Sequence, residues 1–298
     1  MKRKELRGIF VPHITPFTRK GDLDEEALQT CIQFWLNSGV SGLVPCGSNG
    51  EAPYLSREER RKVIGTVLDI VSRRAAVIAG TGSMSTRETI LFTTDAKDLG
   101  VDAALVVTPF YFKLSSREIL EHYKAVLEAV DIPIVLYSVP KFTGVSLEPA
   151  LISQLASEYE NVVGVKDSSG NIGAITETIR LVGDRVSVLA GTAEVALPTF
   201  MMGGSGAVVA VANAFPKMCN DLYEAFKRRR YEEAGKLQQQ ISYLNEVLVK
   251  KYNQLSAIKE ALNILGLPAG SPRMPSLPLS EEERREIENL LRMPQTPT

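Results

Sequence analysis

The chain of 298 residues carries 34 basic and 35 acidic side chains, a formal charge of −1, with 44% hydrophobic and 23% charged residues. That balance fills a sizeable core and excludes disorder as the main state, and near-neutrality removes the electrostatic basis for binding nucleic acid or an anionic membrane. Cys31, Cys46 and Cys219 are too few and too dispersed for a disulfide framework or a Cys-x-x-Cys pair. No run approaches the ~20 apolar residues of a membrane span, and the apolar run after Met1-Lys2-Arg3-Lys4 is too short for a signal peptide. A cytoplasmic protein with neither nucleic-acid nor membrane partner is expected.

In chain order, a strand begins near Gly8, and Asp24 to Asn37 follows as a helix with its apolar face at Leu28, Cys31, Ile32 and Trp35. After a strand at Gly42, Ser56-Arg57-Glu58-Glu59 reads as a capping box ahead of Val63, Val67 and Ile70. A strand at Ala76 precedes a helix opened by Ser85. The unbroken apolar run Ala103-Ala104-Leu105-Val106-Val107, typical of a strand buried on both faces, precedes a helix capped by Ser116. Further strands begin near Pro133, Val162, Val186 and Gly206. Eight starts at a mean spacing of roughly 28 residues suit one strand plus one helix each. After Phe215 the strands stop, and helices are expected over Met218–Arg228, Tyr231–Tyr252 and Ser256–Leu265. A Pro/Gly-rich stretch, Gly266–Pro278, leads to a last helix, Glu281–Leu291, and a frayed tail, Pro294–Thr298. The expected architecture is a (β/α)8 barrel over residues 1–217 with a helical extension over 218–298 packed on it. A doubly wound open sheet stands second, because no Gly-x-Gly-x-x-Gly follows the first strand.

A barrel places its chemistry at the C-terminal ends of its strands. Polar residues gather there: Gly47-Ser48-Asn49-Gly50-Glu51, Thr108-Pro109-Phe110-Tyr111, Tyr137-Ser138-Val139-Pro140, Lys166-Asp167-Ser168-Ser169 and Gly191-Thr192. Lys166 follows the buried run Val162–Val165. Burial disfavours an ammonium and so favours the neutral amine that attacks a ketone to form a Schiff base. The competing reading of Lys166 is a lysine paired with Asp167 or Glu51. Tyr137 ends the neighbouring strand, where a phenol can relay protons, or simply fill the core with its hydroxyl satisfied. The Gly47–Gly50 turn offers backbone N–H groups and the Ser48 hydroxyl to a carboxylate, though any loop may use such a turn. His13, expected inside the first strand, and His122, on a helix face, have no ligand spacing and read as structural, so no metal site is expected. There is no Gly-x-Ser-x-Gly elbow and no phosphate loop.

With Thr15-Pro16-Phe17, Gly47-x-x-Gly50-Glu51, Thr108-Pro109-x-Tyr111, Tyr137-x-Val139-Pro140 and Gly164-x-Lys166 in this order, the sequence resembles the dihydrodipicolinate synthase/N-acetylneuraminate lyase family of pyruvate-dependent class I aldolases. The resemblance runs from about Gly8 to Leu267. It implies that Lys166 is the Schiff-base lysine and Tyr137 the proton-relay phenol, hydrogen-bonded by Ser48. Ser48 and Asn49 would hold the pyruvate carboxylate, and Gly191 and Val208 would line the pocket. Tyr111 would reach across a tight dimer interface into the neighbouring site. It further implies a homotetramer built as a dimer of dimers, no metal or organic cofactor, and pyruvate plus an aldehyde as substrates. The C-terminal helices read as packing or assembly elements.

Synthases of this family carry an arginine two residues after the Val-Pro pair, where this chain has Phe142, preceded by Lys141. A phenyl ring does not replace a bidentate guanidinium. The Gly47–Glu51, Tyr137–Pro140 and Lys166–Gly170 segments look like those of 4-hydroxy-2-oxoglutarate aldolases, with Ser138 and Ser168 serving the second substrate. The first expectation is therefore cleavage of 4-hydroxy-2-oxoglutarate to pyruvate and glyoxylate. The alternative is 4-hydroxy-tetrahydrodipicolinate synthase, condensing pyruvate with aspartate semialdehyde. A silent ligand-binding barrel is the distant third.

Overall fold

A computed structural model of the protein describes residues 6–292; the basic start Met1–Lys4 and the expected tail Pro294–Thr298 lie outside them. Eight strands form: β1 (Gly8–Val11), β2 (Gly42–Leu43), β3 (Ala76–Gly80), β4 (Ala103–Val107), β5 (Ile134–Ser138), β6 (Val162–Asp167), β7 (Ser187–Ala190) and β8 (Gly206–Val208). They pair in parallel in chain order, and β8 closes back onto β1 through Gly8↔Gly206, giving a closed barrel. The open-sheet alternative falls with that closure. Phe10, Val44, Ile78, Leu105, Val135, Leu189 and Val208 fill the barrel interior, so the barrel is a packed core and the site is built above it.

The helices are α1 (Glu25–Asn37), α2 (Arg57–Val71), α3 (Thr86–Leu99), α4 (Ser116–Ala129), α5 (Pro140–Thr143), α6 (Pro149–Glu158), α7 (Ile172–Val182), α8 (Ala196–Met201), α9 (Pro216–Lys227), α10 (Tyr231–Asn245), α11 (Gln254–Ile264) and α12 (Glu281–Arg292). Asp24 caps α1 through the Ala27 amide, and Ser56 and Glu59 make the expected reciprocal box on α2. Such caps stabilise a helix start by ~1 kcal/mol. One cap differs from expectation. Ser115 caps α4, because the box needs its glutamate three residues on, and that residue is Glu118. The expected helix Tyr231–Tyr252 also divides: α10 ends at Asn245 and a π-helical turn, Glu246–Lys251, carries the chain to α11.

Helix α9 runs across the expected 217/218 boundary. Its buried face includes Cys219, Leu222 and Tyr223, and the Tyr223 ring lies close to Gly8 of β1. Among the described residues no helix is long and apolar enough to cross a membrane.

His13 lies just past β1 rather than inside it, stacked on Trp35 at 5.1 Å with Nδ1 2.9 Å from the Ile14 carbonyl. His122 packs on α4 with Nδ1 3.0 Å from the Thr86 hydroxyl. Burial pushes both imidazoles down to about 4 from an ordinary 6.5. Between those values the unfolded chain binds protons that the folded chain does not, so stability falls as pH drops from about 6.5 to about 4. Each histidine contributes about 3 kcal/mol to that loss. Urea denaturation at pH 7 and pH 4.5 should show it, and His122→Gln should flatten part of the slope. An unchanged slope in that variant would remove His122 from the account.

Candidate active site

Lys166 and Tyr137 occupy opposed positions in the β5–β6 register, so both side chains leave the sheet on the same side. Both are buried, and the Lys166 Nζ stands 4.1 Å from the centre of the Tyr137 ring. The juxtaposition expected from the neighbouring strand ends is thus a consequence of strand register. Among the described residues no carboxylate lies within ion-pair distance of Lys166: Glu51 pairs with Lys259, and the Asp167 carboxylate accepts the Ser169 amide at 2.7 Å.

Burial alone pushes the Tyr137 phenol up. The positive Lys166 side chain and hydrogen bonds with Ser168, Ser48 and Lys166 outweigh burial and hold it below its ordinary value. The Ser168 hydroxyl donates to the phenol at 3.5 Å. Gly191 is required here by close approach, since a Cβ at that position would lie 2.1 Å from the Ser168 Oγ and 2.8 Å from the Asp167 carbonyl oxygen.

A cavity of about 530 Å³ opens at the Tyr137 side of this pair, with a lining that includes Gly47, Ser48, Tyr137, Val139 and Phe142. Its far wall belongs to the C-terminal segment, from Val249 and Lys250 through Tyr252, Asn253 and Gln254 to Leu255. π-Helical turns of this kind are frequent at functional sites. Gln254 donates to Asn49 Oδ1 at 2.7 Å and accepts from Lys141 Nζ at 3.1 Å, so it bridges the loops after β2 and β5. Burial lowers the Lys141 ammonium below its ordinary value. Lys250, on the same wall, pairs with Glu194.

The loop after β2 is held from behind. Glu51 takes a left-handed backbone conformation at φ 57°, and its buried carboxylate pairs with Lys259 of α11 at 2.6 Å and accepts the Arg273 amide at 2.8 Å. The Arg273 guanidinium donates to the Gly21 and Tyr54 carbonyls and to Glu59, and both cations stack on Phe17. The Pro/Gly-rich stretch Gly266–Pro278 is therefore a strap tied across the β1–β2 side of the barrel mouth.

The other expected residues divide. Ser48 lines the cavity, Asn49 is buried beside it, and Val208 lies in the barrel interior. Ser138 does not reach the cavity. It follows inward-facing Tyr137, is fully buried, and its Oγ accepts the Leu147 amide at 3.1 Å, so the expectation that it contacts substrate does not fit this geometry. Tyr111 is 83% exposed at φ 85° and packs edge-on against exposed Phe112, outside this chain's own cavity. Phe142, exposed on α5, lines the cavity. The sequence reading missed Gln254, Lys259 and Arg273. Their partners in the loop after β2, Asn49 and Glu51, lie more than 200 residues away, and no local pattern marks them.

The three thiols are buried, and burial pushes each up to about 12, which removes them as nucleophiles. Among the described residues no three His, Cys, Asp or Glu side chains gather as a metal site.

Residues 5–293 match the family model described as the dihydrodipicolinate synthetase family. A 4-hydroxy-tetrahydrodipicolinate synthase of Methanothrix thermoacetophila is 38% identical over 96% of each chain. The crystal structure of dihydrodipicolinate synthase from Aquifex aeolicus superposes with TM-score 0.92 at 35% identity, covering 96% of this chain and 97% of that one. A prophage protein of that family from E. coli K12, solved with pyruvate, gives TM-score 0.92 at 31% identity over the same shares. The chain therefore belongs to the dihydrodipicolinate synthetase family, pyruvate-dependent class I lyases that work through a lysine Schiff base.

Proposed function

We propose that Lys166 is the Schiff-base lysine of this chain and that it condenses with the C2 carbonyl of pyruvate. The observation that carries this is the buried Lys166–Tyr137 pair, whose phenol ring lines the cavity. The amine adds to C2, and the carbinolamine loses water to give the imine. The protonated imine then draws electrons from C3 as the C3–C4 bond forms or breaks. Tyr137, its phenol held low and hydrogen-bonded to Ser48 and Ser168, carries the protons. Ser48 and Asn49 hold the carboxylate, with Gly191 and Val208 shaping the pocket and Ser168 beside the phenol. No step asks for a metal or organic cofactor. A cytoplasmic location suits this chemistry.

For the carbonyl partner, similarity favours aspartate semialdehyde and hence 4-hydroxy-tetrahydrodipicolinate synthase, the name carried by two relatives 38% identical over nearly the whole chain. This reading is better supported than cleavage of 4-hydroxy-2-oxoglutarate. One observation keeps the aldolase as a second reading: Phe142 stands where the synthase arginine is expected, and Lys141 is engaged with Gln254 and the Val249 carbonyl. Borohydride reduction with pyruvate should leave a mass adduct on Lys166; no adduct would remove the Schiff-base reading and reinstate the silent barrel. Pyruvate consumption with aspartate semialdehyde, set against pyruvate release from 4-hydroxy-2-oxoglutarate, then decides the partner. Release without condensation would put the aldolase first and the synthase second.

The exposed Tyr111–Phe112 pair suits a surface covered by a second copy. In the proposed dimer of dimers, Tyr111 enters the partner's cavity. A variant that separates the copies should keep its circular dichroism and lose turnover, whereas a fully active monomer would defeat the idea.

A further inference from the structure

An ammonium only donates hydrogen bonds, so the Gln254 atom 3.1 Å from Lys141 Nζ has to be the carbonyl oxygen Oε1. That choice fixes the other end of the amide. Nε2 faces the loop after β2 and donates to Asn49, 2.7 Å away. A donor at that point requires Asn49 to turn its Oδ1 toward Gln254, which leaves the Asn49 NH2 as the group offered to a ligand. The distinction matters because a carboxylate only accepts: an amide presenting NH2 binds it, and one presenting C=O repels it. Lys141 also donates to the Val249 carbonyl at 3.3 Å, so the cation is held against the same wall by two acceptors. Parts of the chain far apart in sequence, α5, the start of α11 and the loop after β2, thus set a single amide orientation.

We propose that Gln254, itself oriented by Lys141, is a positioning residue for the 2-oxo acid: it locks the Asn49 amide with its NH2 presented to the substrate carboxylate. The proposal rests on the reading that Asn49 holds the pyruvate carboxylate. It gives the C-terminal helical segment a part in substrate affinity beyond packing. It also gives Lys141 a role, with two of its three donors engaged by the Gln254 and Val249 oxygens.

The pyruvate dependence of borohydride trapping on the full-length protein reads this affinity with no second substrate present. Gln254→Leu and Lys141→Met should raise the half-saturating pyruvate concentration about ten-fold or more, the scale of a hydrogen bond to a charged group, with the adduct yield at saturation unchanged. Lys141→Arg keeps a donor-only cation and should stay within about two-fold of wild type. Gln254→Glu separates positioning from packing. Its carboxylate pairs well with Lys141 but cannot donate to Asn49, so pyruvate binding should weaken while the thermal midpoint holds. An unchanged half-saturation in folded Gln254→Leu overturns the proposal, as does a lower limiting yield at unchanged half-saturation. Turnover variants that raise KM only for the carbonyl partner overturn it too, by placing the two side chains against that substrate. Absence of any adduct in wild type defeats the underlying Schiff-base reading, and is seen before any variant is compared.

Discussion

Replacing Lys166 by alanine is expected to lower turnover by on the order of 10⁴-fold or more while the barrel remains folded. In the proposed mechanism this side chain supplies the atom that bonds to substrate, and no other described amine stands against the Tyr137 ring. Lys166→Arg is the sharper test. It keeps a positive charge over the ring, but a guanidinium does not lose its proton in a protein and forms no imine. Both variants should leave pyruvate untrapped by borohydride, with circular dichroism unchanged. Turnover by Lys166→Arg within about ten-fold of wild type would show that the position contributes charge and not a nucleophile.

The second large effect concerns stability. Lys259 and Glu51 form an ion pair with side chains 1% and 0% exposed. Burial pushes the lysine down to about 8, against the attraction of Glu51, so the pair is held in place at a desolvation cost. Lys259→Met should therefore destabilise the protein by about 3–5 kcal/mol, because it strands a buried carboxylate. For a chain of this size that corresponds to a fall in Tm on the order of 10 °C. Adding Glu51→Gln to Lys259→Met should recover much of the loss, since no charge is then left buried. Differential scanning calorimetry on the two single variants and the double variant gives the coupling directly. Additive losses would mean that the two groups do not act as a pair.

The elements were legible because their signals are local. Seven consecutive spacings of strand plus helix, with caps at Asp24, Ser56 and Ser85, lie within windows that periodicity can read, and the observed strand starts fall within one residue of expectation. Pro133 shows the limit at one edge: lacking an N–H, it stays outside β5, although its carbonyl accepts the Ala104 amide. Lys166 and Tyr137 were readable as the ends of neighbouring strands, which sets the phenol beside the amine, and the resemblance assigned their roles. Ser138 was misread although the signal was present, since strand side chains alternate and an inward Tyr137 turns Ser138 outward. The far wall of the cavity was not readable. Gln254 meets Asn49 across 205 residues, and Arg273 meets Glu51 across 222, distances over which neither spacing nor composition carries information.

The strap has a consequence for how the protein is made. Chains leave the ribosome N-terminus first at ~5–20 residues per second, so Arg273 appears roughly 5–20 s after Lys166. Until then Glu51 lacks both its Arg273 amide and, for most of that interval, its Lys259 partner, and the loop after β2 has nothing behind it. β1 waits as well, since Gly8 pairs with Gly206. A nascent chain therefore carries Lys166, the proposed nucleophile, before the C-terminal wall of the cavity exists. On the proposed role of Lys166, selectivity is among the last properties to be translated, and a ribosome stalled before Val249 would hold an amine-bearing pocket open to any small ketone in its surroundings.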